Sequence, residues 1–170
     1  MALNKIFSSA QNAHQAGNLS LAKQLYHTII KQTNHVDALY GLATLLMQEQ
    51  QFSAAIPLFE QALTLEPNAV DISFNFVLCL QGNKNSNRAI AIINAVKTHL
   101  SDDQQLNLAF AGQCLSLQQP HLAIEIIQRY HYKTPAANNL LGEAYLQLND
   151  WLTALSYWQQ LTVSATPSPS

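Results

Sequence analysis

Charge is the scarcest property of this chain. Among its 170 residues Lys and Arg number 8 and Asp and Glu 10, so that only 11% are charged, against roughly 25% in an ordinary soluble domain. A net charge of −2 supplies no basic field for a polyphosphate backbone, and nucleic acid is not an expected partner. Cysteine is almost missing: Cys79 and Cys114 stand far apart, with neither metal-ligand spacing nor a disulfide framework, and read as buried, reduced thiols. No run of about 18 apolar residues is available to span a bilayer. The opening "MALNKIFSSAQNAHQAG" lacks the continuous apolar stretch of a signal peptide, and a cytoplasmic location is the expectation.

Signatures of catalysis are missing as well. There is no G-x-x-x-x-G-K-S/T phosphate loop, no G-x-S-x-G elbow and no H-E-x-x-H zinc helix. His14, His27, His35, His99, His121 and His131 are scattered without a pair at helical spacing. Asp102 and Asp103 adjoin, but neighbours at a helix start point different ways, and acids there complement the helix dipole. Gly82, Lys84 and Arg88 in "GNKNSNR" read as a polar loop between helices. The expectation is a protein with no catalytic residue, no metal and no cofactor.

What the chain does have is apolar surface, 48% of its residues, recurring at threes and fours almost everywhere with no sustained alternation of period two. This predicts an all-helical chain of about ten helices, roughly 12–16 residues each, broken near "AGN", "QTN", "QEQQ", "EPNA", "QGNKNSN", "LSDD", "QQP", "YKTP" and "LND". Ser101 and Gln104 have capping-box spacing. Thr134 is placed to cap a helix with Pro135 in its first turn. Pro120 and Asn149 mark two further starts, and Pro57 must lie within about the first turn and a half of its helix.

The pattern repeats. Ala22, Ala55, Ala89, Ala123 and Ala154 are separated by 33, 34, 34 and 31 residues; Tyr26, Phe59, Ile93, Ile127 and Trp158 follow four places later, and Ile29, Ala62, Val96, Tyr130 and Leu161 seven places later. These residues resemble the tetratricopeptide repeat. The last repeat, "LLGEAYLQLNDWLTALSYWQQL", has Leu141, Gly142, Tyr145, Ala154 and Trp158 at the signature spacings, and the second has Leu42, Ala43, Leu46, Ala55, Phe59, Ala62 and Pro67; the other three are degenerate. The resemblance implies a single array over residues 1–163, with repeats at about 3–35, 36–69, 70–103, 104–134 and 135–163, followed by a disordered tail over 164–170. Its fold would be a right-handed superhelix of antiparallel helix pairs. The missing three residues before Ala154 predict an irregularity around "YHYKTP".

In this family the first helix of each pair lines a concave groove. The resemblance places Phe7, Tyr40, Phe74, Leu108 and Asn139 there, then Gln11, Thr44, Leu78, Gly112 and Glu143 a turn further on, then His14, Met47, Gln81, Leu115 and Leu146. The tier has no cation of the kind that grips acidic chaperone tails. Of the asparagine ladder found beside glycosyltransferases of Ser and Thr, only Asn75 matches. The groove therefore implies a peptide or helix of a partner protein as ligand, and an adaptor or scaffold as function. Two other readings are a dedicated bacterial chaperone for an exported or assembling subunit, and the amino-terminal module of a sulfotransferase or glycosyltransferase. The last helix presents Leu155, Tyr157, Trp158 and Leu161 with no covering helix after them, which predicts a contact there with a second copy or another partner.

Overall fold

The computed structural model describes residues 2–163, with only the backbone described at Ala2 and over 161–163. Among these residues there are ten α-helices and no strand: α1 (Ala2–Gln15), α2 (Leu19–Gln32), α3 (Val36–Gln48), α4 (Phe52–Leu65), α5 (Val70–Gly82), α6 (Ser86–Val96), α7 (Gln104–Ser116), α8 (Pro120–Arg129), α9 (Pro135–Gln147) and α10 (Trp151–Val163). The expected tail over 164–170 lies outside the described residues. The helices pair in chain order, α1 with α2 through α9 with α10.

A backbone feature recurs inside every pair. Gly17, Gln50, Lys84, Gln118 and Asn149 all have φ between 57° and 75°, and they lie 33, 34, 34 and 31 residues apart, the intervals of the buried alanines. At each turn the following N–H reaches back to a carbonyl of the first helix: Asn18 to Ala13 at 2.8 Å, Gln51 to Leu46 at 2.8 Å, Asn85 to Leu80 at 2.8 Å, Gln119 to Cys114 at 2.8 Å and Asp150 to Tyr145 at 2.9 Å. This is the six-to-one bond of a Schellman motif, which satisfies otherwise free helix-end carbonyls and turns the chain back on itself.

Five residues beyond each left-handed residue comes the small one. Ala22, Ala55, Ala89, Ala123 and Ala154 are fully buried, and their lack of bulk lets paired helices approach. The side chains one turn on, Tyr26, Phe59, Ile93 and Ile127, are buried too. Hydrophobic burial on this scale, about 1.5–3 kcal/mol per large side chain, is what holds such stacked pairs together.

The helix starts follow local chemistry with one shift. Thr134 Oγ1 accepts from the Ala137 N–H at 3.3 Å, as the Thr-Pro signature requires. The Ser101–Gln104 capping box does not form: α7 begins at Gln104, and Asp103 caps it by accepting from the Leu106 N–H at 3.0 Å. The carboxylate wins because it stands at the N-cap itself and favours the positive end of the helix dipole. Asn149 is the left-handed turn residue, and Asp150 caps α10 by accepting from the Thr153 N–H at 3.1 Å. Pro57 lies inside α4, five residues after Phe52, just past the expected turn and a half.

The chain divides into two contact units, residues 1–96 and Lys97 onward. In the first, α2 packs on α3 and α4 on α5, and the ion pairs Lys23–Glu49 and Glu60–Arg88 join α2 to the end of α3 and α4 to α6. Its first helix is polar where α3 is apolar. In the register where α3 has Ala38, Leu42 and Leu45 packed with Tyr26 and Ile29 of α2, α1 carries Lys5, Ser9 and Asn12, all exposed.

In the second unit α8 packs on α9. The irregularity expected around "YHYKTP" appears in α8, which ends at Arg129 one turn short of its counterpart α2, with His131 left-handed at φ 52°. Tyr130 stacks on Tyr132 at 5.7 Å and donates its hydroxyl to the Leu100 carbonyl. The Tyr132 hydroxyl accepts from the buried Asn107 amide at 2.8 Å.

Candidate functional site

Four helices of the first unit, α1, α2, α3 and α5, line a cleft of about 500 Å³. From α1 it takes Phe7, Gln11 and His14, and from α3 Tyr40 and Thr44, the five groove residues expected on these two helices apart from Met47. Tyr26 of α2 backs the cleft, and Gly41 brings it within reach: a Cβ at Gly41 would stand 2.6 Å from the Tyr26 ring. The lining is therefore mainly aromatic and amide.

Several of these side chains are held in place. Phe7 stacks on His35 at 4.8 Å between ring centroids. His14 Nε2 lies 3.2 Å from Gln48 Oε1, and the Thr44 hydroxyl donates to the Gly41 carbonyl at 3.0 Å. Asn75 donates its amide to the Tyr40 hydroxyl at 2.6 Å and to the Asp71 carbonyl at 3.2 Å, so the one residue that matched the asparagine ladder serves to fix Tyr40. Burial, and then the Asp71 carboxylate, push the Tyr40 phenol above its ordinary value, while the Asn75 bond acts the other way. Asp37 and Asp71 stand at the rim, and among the described residues no Lys or Arg lines the cleft. Sequence reasoning missed these two as site residues, because lone acids in the first turns of α3 and α5 read as ordinary complements of the helix dipole.

The remaining expected groove residues do not join this cleft. Met47, Phe74 and Gln81 are half-buried on α3 and α5. In the second unit Leu108 is half-buried on α7, and Asn139 and Glu143, both exposed on α9, bond to each other at 3.1 Å. Leu115, expected to line the groove, is instead buried near the end of α7, 4% exposed, and its carbonyl accepts from the Gln147 side-chain amide at 3.1 Å.

At the far end of the second unit, Trp158 is half-buried and lies against Gly142, where a Cβ would collide with the indole. Tyr157 stacks on Tyr145 at 5.6 Å. The apolar surface left exposed is made by Trp151 at 63%, Leu152 at 64% and Leu155 at 46%. Of the expected contact residues Leu155 is exposed, whereas the Leu161 side chain lies outside the described residues. Trp151 stands in the register of Phe52, whose ring packs against Gly82 of the next helix.

Burial pushes the two thiols up, Cys79 to about 11 and Cys114 to about 12. Among the described residues no cluster of three His, Cys, Asp or Glu is arranged to hold a metal, and no helix is long and apolar enough to cross a membrane.

Helix pairs at a 34-residue period, each closed by the same left-handed turn, define a helical-repeat interaction scaffold. Tetratricopeptide-repeat models match residues 7–70 and 46–111, together spanning more than half of the sequence. The chain belongs to the tetratricopeptide repeat family, whose members bind protein partners and are generally non-catalytic. Its fold is shared with solved structures of MamA. One crystal structure of MamA protein aligns over 99% of this chain and 97% of its own, at 13% identity and a TM-score of 0.78. MamA 41-end from Desulfovibrio magneticus RS-1 aligns over 97% of each chain, at 18% identity and a TM-score of 0.74. No curated protein sequence matches.

Proposed function

We propose that this protein is a non-catalytic scaffold that holds a peptide or helix of a partner protein in the cleft between α1 and α3. The observation that carries the reading is the convergence of Phe7, Gln11, His14, Tyr40 and Thr44 on one 500 Å³ cleft. An apolar or aromatic side chain of the partner lies between the rings, and a neighbouring Lys or Arg pairs with Asp37 and Asp71. Aromatic anchors of this kind typically contribute about 2 kcal/mol or more to binding, whereas rim charges act mainly on association rate and salt dependence. An array of immobilised peptides tests it: those combining an aromatic with a basic residue are retained, Tyr40→Ala weakens retention by more than tenfold, and Asp37→Lys with Asp71→Lys slows association and removes its salt dependence. Retention and salt dependence unchanged in both variants, with unchanged circular dichroism, overturns the reading.

A second contact is favoured by α10. Its exposed Trp151, Leu152 and Leu155 carry no charge among them, and α10 as a whole has none, so two copies meeting through this face incur no like-charge repulsion. The same face is the proposed site of self-association.

A further inference from the structure

The short α8 changes the surface beside it. In the first unit, the notch where α2 and α4 end beside α3 encloses about 200 Å³ and is lined by Asn34, Leu39 and Gln61 among others. Ninety-nine residues later, in the same repeat register, stand Lys133, Asn138 and Gln160, which line a notch of about 680 Å³. The physical cause of the enlargement is the missing helical turn: α2 runs to Gln32, whereas α8, in the same register, stops at Arg129. The chain that replaces the turn is fastened by the Tyr130–Tyr132 stack and by the Asn107–Tyr132 hydrogen bond, so the notch is open before anything binds.

Its chemistry differs from that of the cleft in the first unit. The floor is Ile127 and Leu141, both buried, and Tyr132 and Tyr157 stand over it. Lys133 is exposed at the mouth, no acid lines the notch, and Lys133 has no ion-pair partner among the described residues. Gln128, Asn138 and Gln160 complete the rim, with Asn138 donating to Gln160 at 3.2 Å. Side-chain amides both donate and accept, as a peptide backbone requires and a bare anion does not.

We propose that this notch is a second binding site, specific for a short acidic peptide segment in which a carboxylate adjoins an aliphatic or aromatic side chain. The carboxylate pairs with Lys133, the apolar group lies on Ile127 and Leu141, and the rim amides bond the peptide backbone. The site is separate from the cleft between α1 and α3 and stands or falls independently of it. Titrating the ¹⁵N-labelled full chain with acetyl-Glu-Leu-Phe-Glu-amide tests the assignment, with acetyl-Gln-Leu-Phe-Gln-amide and inorganic phosphate as comparison probes. Backbone shifts are expected at Gln128, Lys133, Asn138 and Gln160. Affinity falls at least fivefold for the Gln peptide or for Lys133→Gln, and at least threefold for Asn138→Leu, which restores the residue of the small notch. Lys133 is exposed and Asn138 half-buried at the rim, and a native spectrum away from the notch verifies that each variant folds. Shifts confined to other regions, equal binding of the Gln peptide, an unaffected Lys133→Gln variant, or phosphate alone producing the same shifts would each overturn the proposal.

Discussion

Two glycines differ in what a single methyl group would cost. Alanine normally stabilises a helix interior by about 0.8–1 kcal/mol over glycine, whereas overpacking a core costs about 1–3 kcal/mol. At Gly41 the new Cβ meets the ring of Tyr26, which is 2% exposed and hemmed in by Phe7 and His14. Overpacking wins there, and Gly41→Ala is expected to lose about 1 kcal/mol or more in urea unfolding. At Gly142 the obstacle is the half-buried Trp158, which has solvent beside it and can swing aside, so Gly142→Ala comes out near neutral. Equal losses in the two variants would refute the distinction. The thiols give a pH dependence with a definite sign. Because burial raises both Cys79 and Cys114, the folded protein keeps protons that the unfolded chain releases above about pH 8.5. Their contribution is complete below that pH and is lost as pH rises toward 11–12. The urea midpoint should fall between pH 7.5 and 9.5, less so in a Cys79→Ala, Cys114→Ala double variant, and neither thiol should react with a disulfide reagent at pH 8 until the chain unfolds. The buried state of both thiols was legible in the sequence from their isolation. The division of labour between the tryptophans was not: Trp158 has the signature spacing and fills space over Gly142, while the solvent-exposed ring belongs to Trp151, in the register of Phe52.

At the scale of the element, the helices and their pairing followed from apolar spacing, and the breaks fell where polar clusters were found. The geometry of the turns was less accessible, because only Gly17 among the five left-handed residues is a glycine. Gln50, Lys84 and Gln118 occupy a conformation costing roughly 1 kcal/mol for a residue with a side chain, and the repeated six-to-one hydrogen bond is what keeps them there. Gln118→Gly and Gln50→Gly are therefore expected to raise stability by about 0.5–1 kcal/mol each, since relief of strain exceeds the added entropy of the unfolded chain. A urea midpoint that stays put or falls in both would mean that the side chains contribute packing that outweighs the strain. The capping of α7 carries the same lesson: Ser101 and Gln104 had the right spacing, but spacing alone does not reveal which of several capping residues stands at the N-cap. The shortening of α8 was legible as a 31-residue interval, whereas the enlarged notch it leaves depends on residues brought together from the loop before α9, from α9 and from α10.

For the whole molecule, the scarcity of charge bears on association. A chain with 11% charged residues has little electrostatic repulsion to keep exposed apolar faces apart. Light scattering at micromolar concentration is expected to show a concentration-dependent mass that Trp151→Glu with Leu152→Glu reduces to that of a monomer. Trp158→Glu should instead lower stability, because that ring lies against α9. A native monomer at all concentrations would remove the support for self-association through α10. Of the expected groove residues, the repeat register brought five from α1 and α3 to one cleft, but it gave no means of telling that Leu115 would be buried or that Asn75 would be occupied by Tyr40.

The contrast between α1 and α10 sets a direction for lengthening the array. A helix pair grafted ahead of α1 would have to bury Lys5, Ser9 and Asn12, whose desolvation has no compensating partners. One grafted behind α10 would meet Trp151 already projecting in the register in which Phe52 packs against Gly82 of α5, with Leu155 exposed nearby, and would need only a small residue opposite the indole. For gene duplication or for an engineer extending the array, this sequence is receptive to new repeats at one end and resistant at the other.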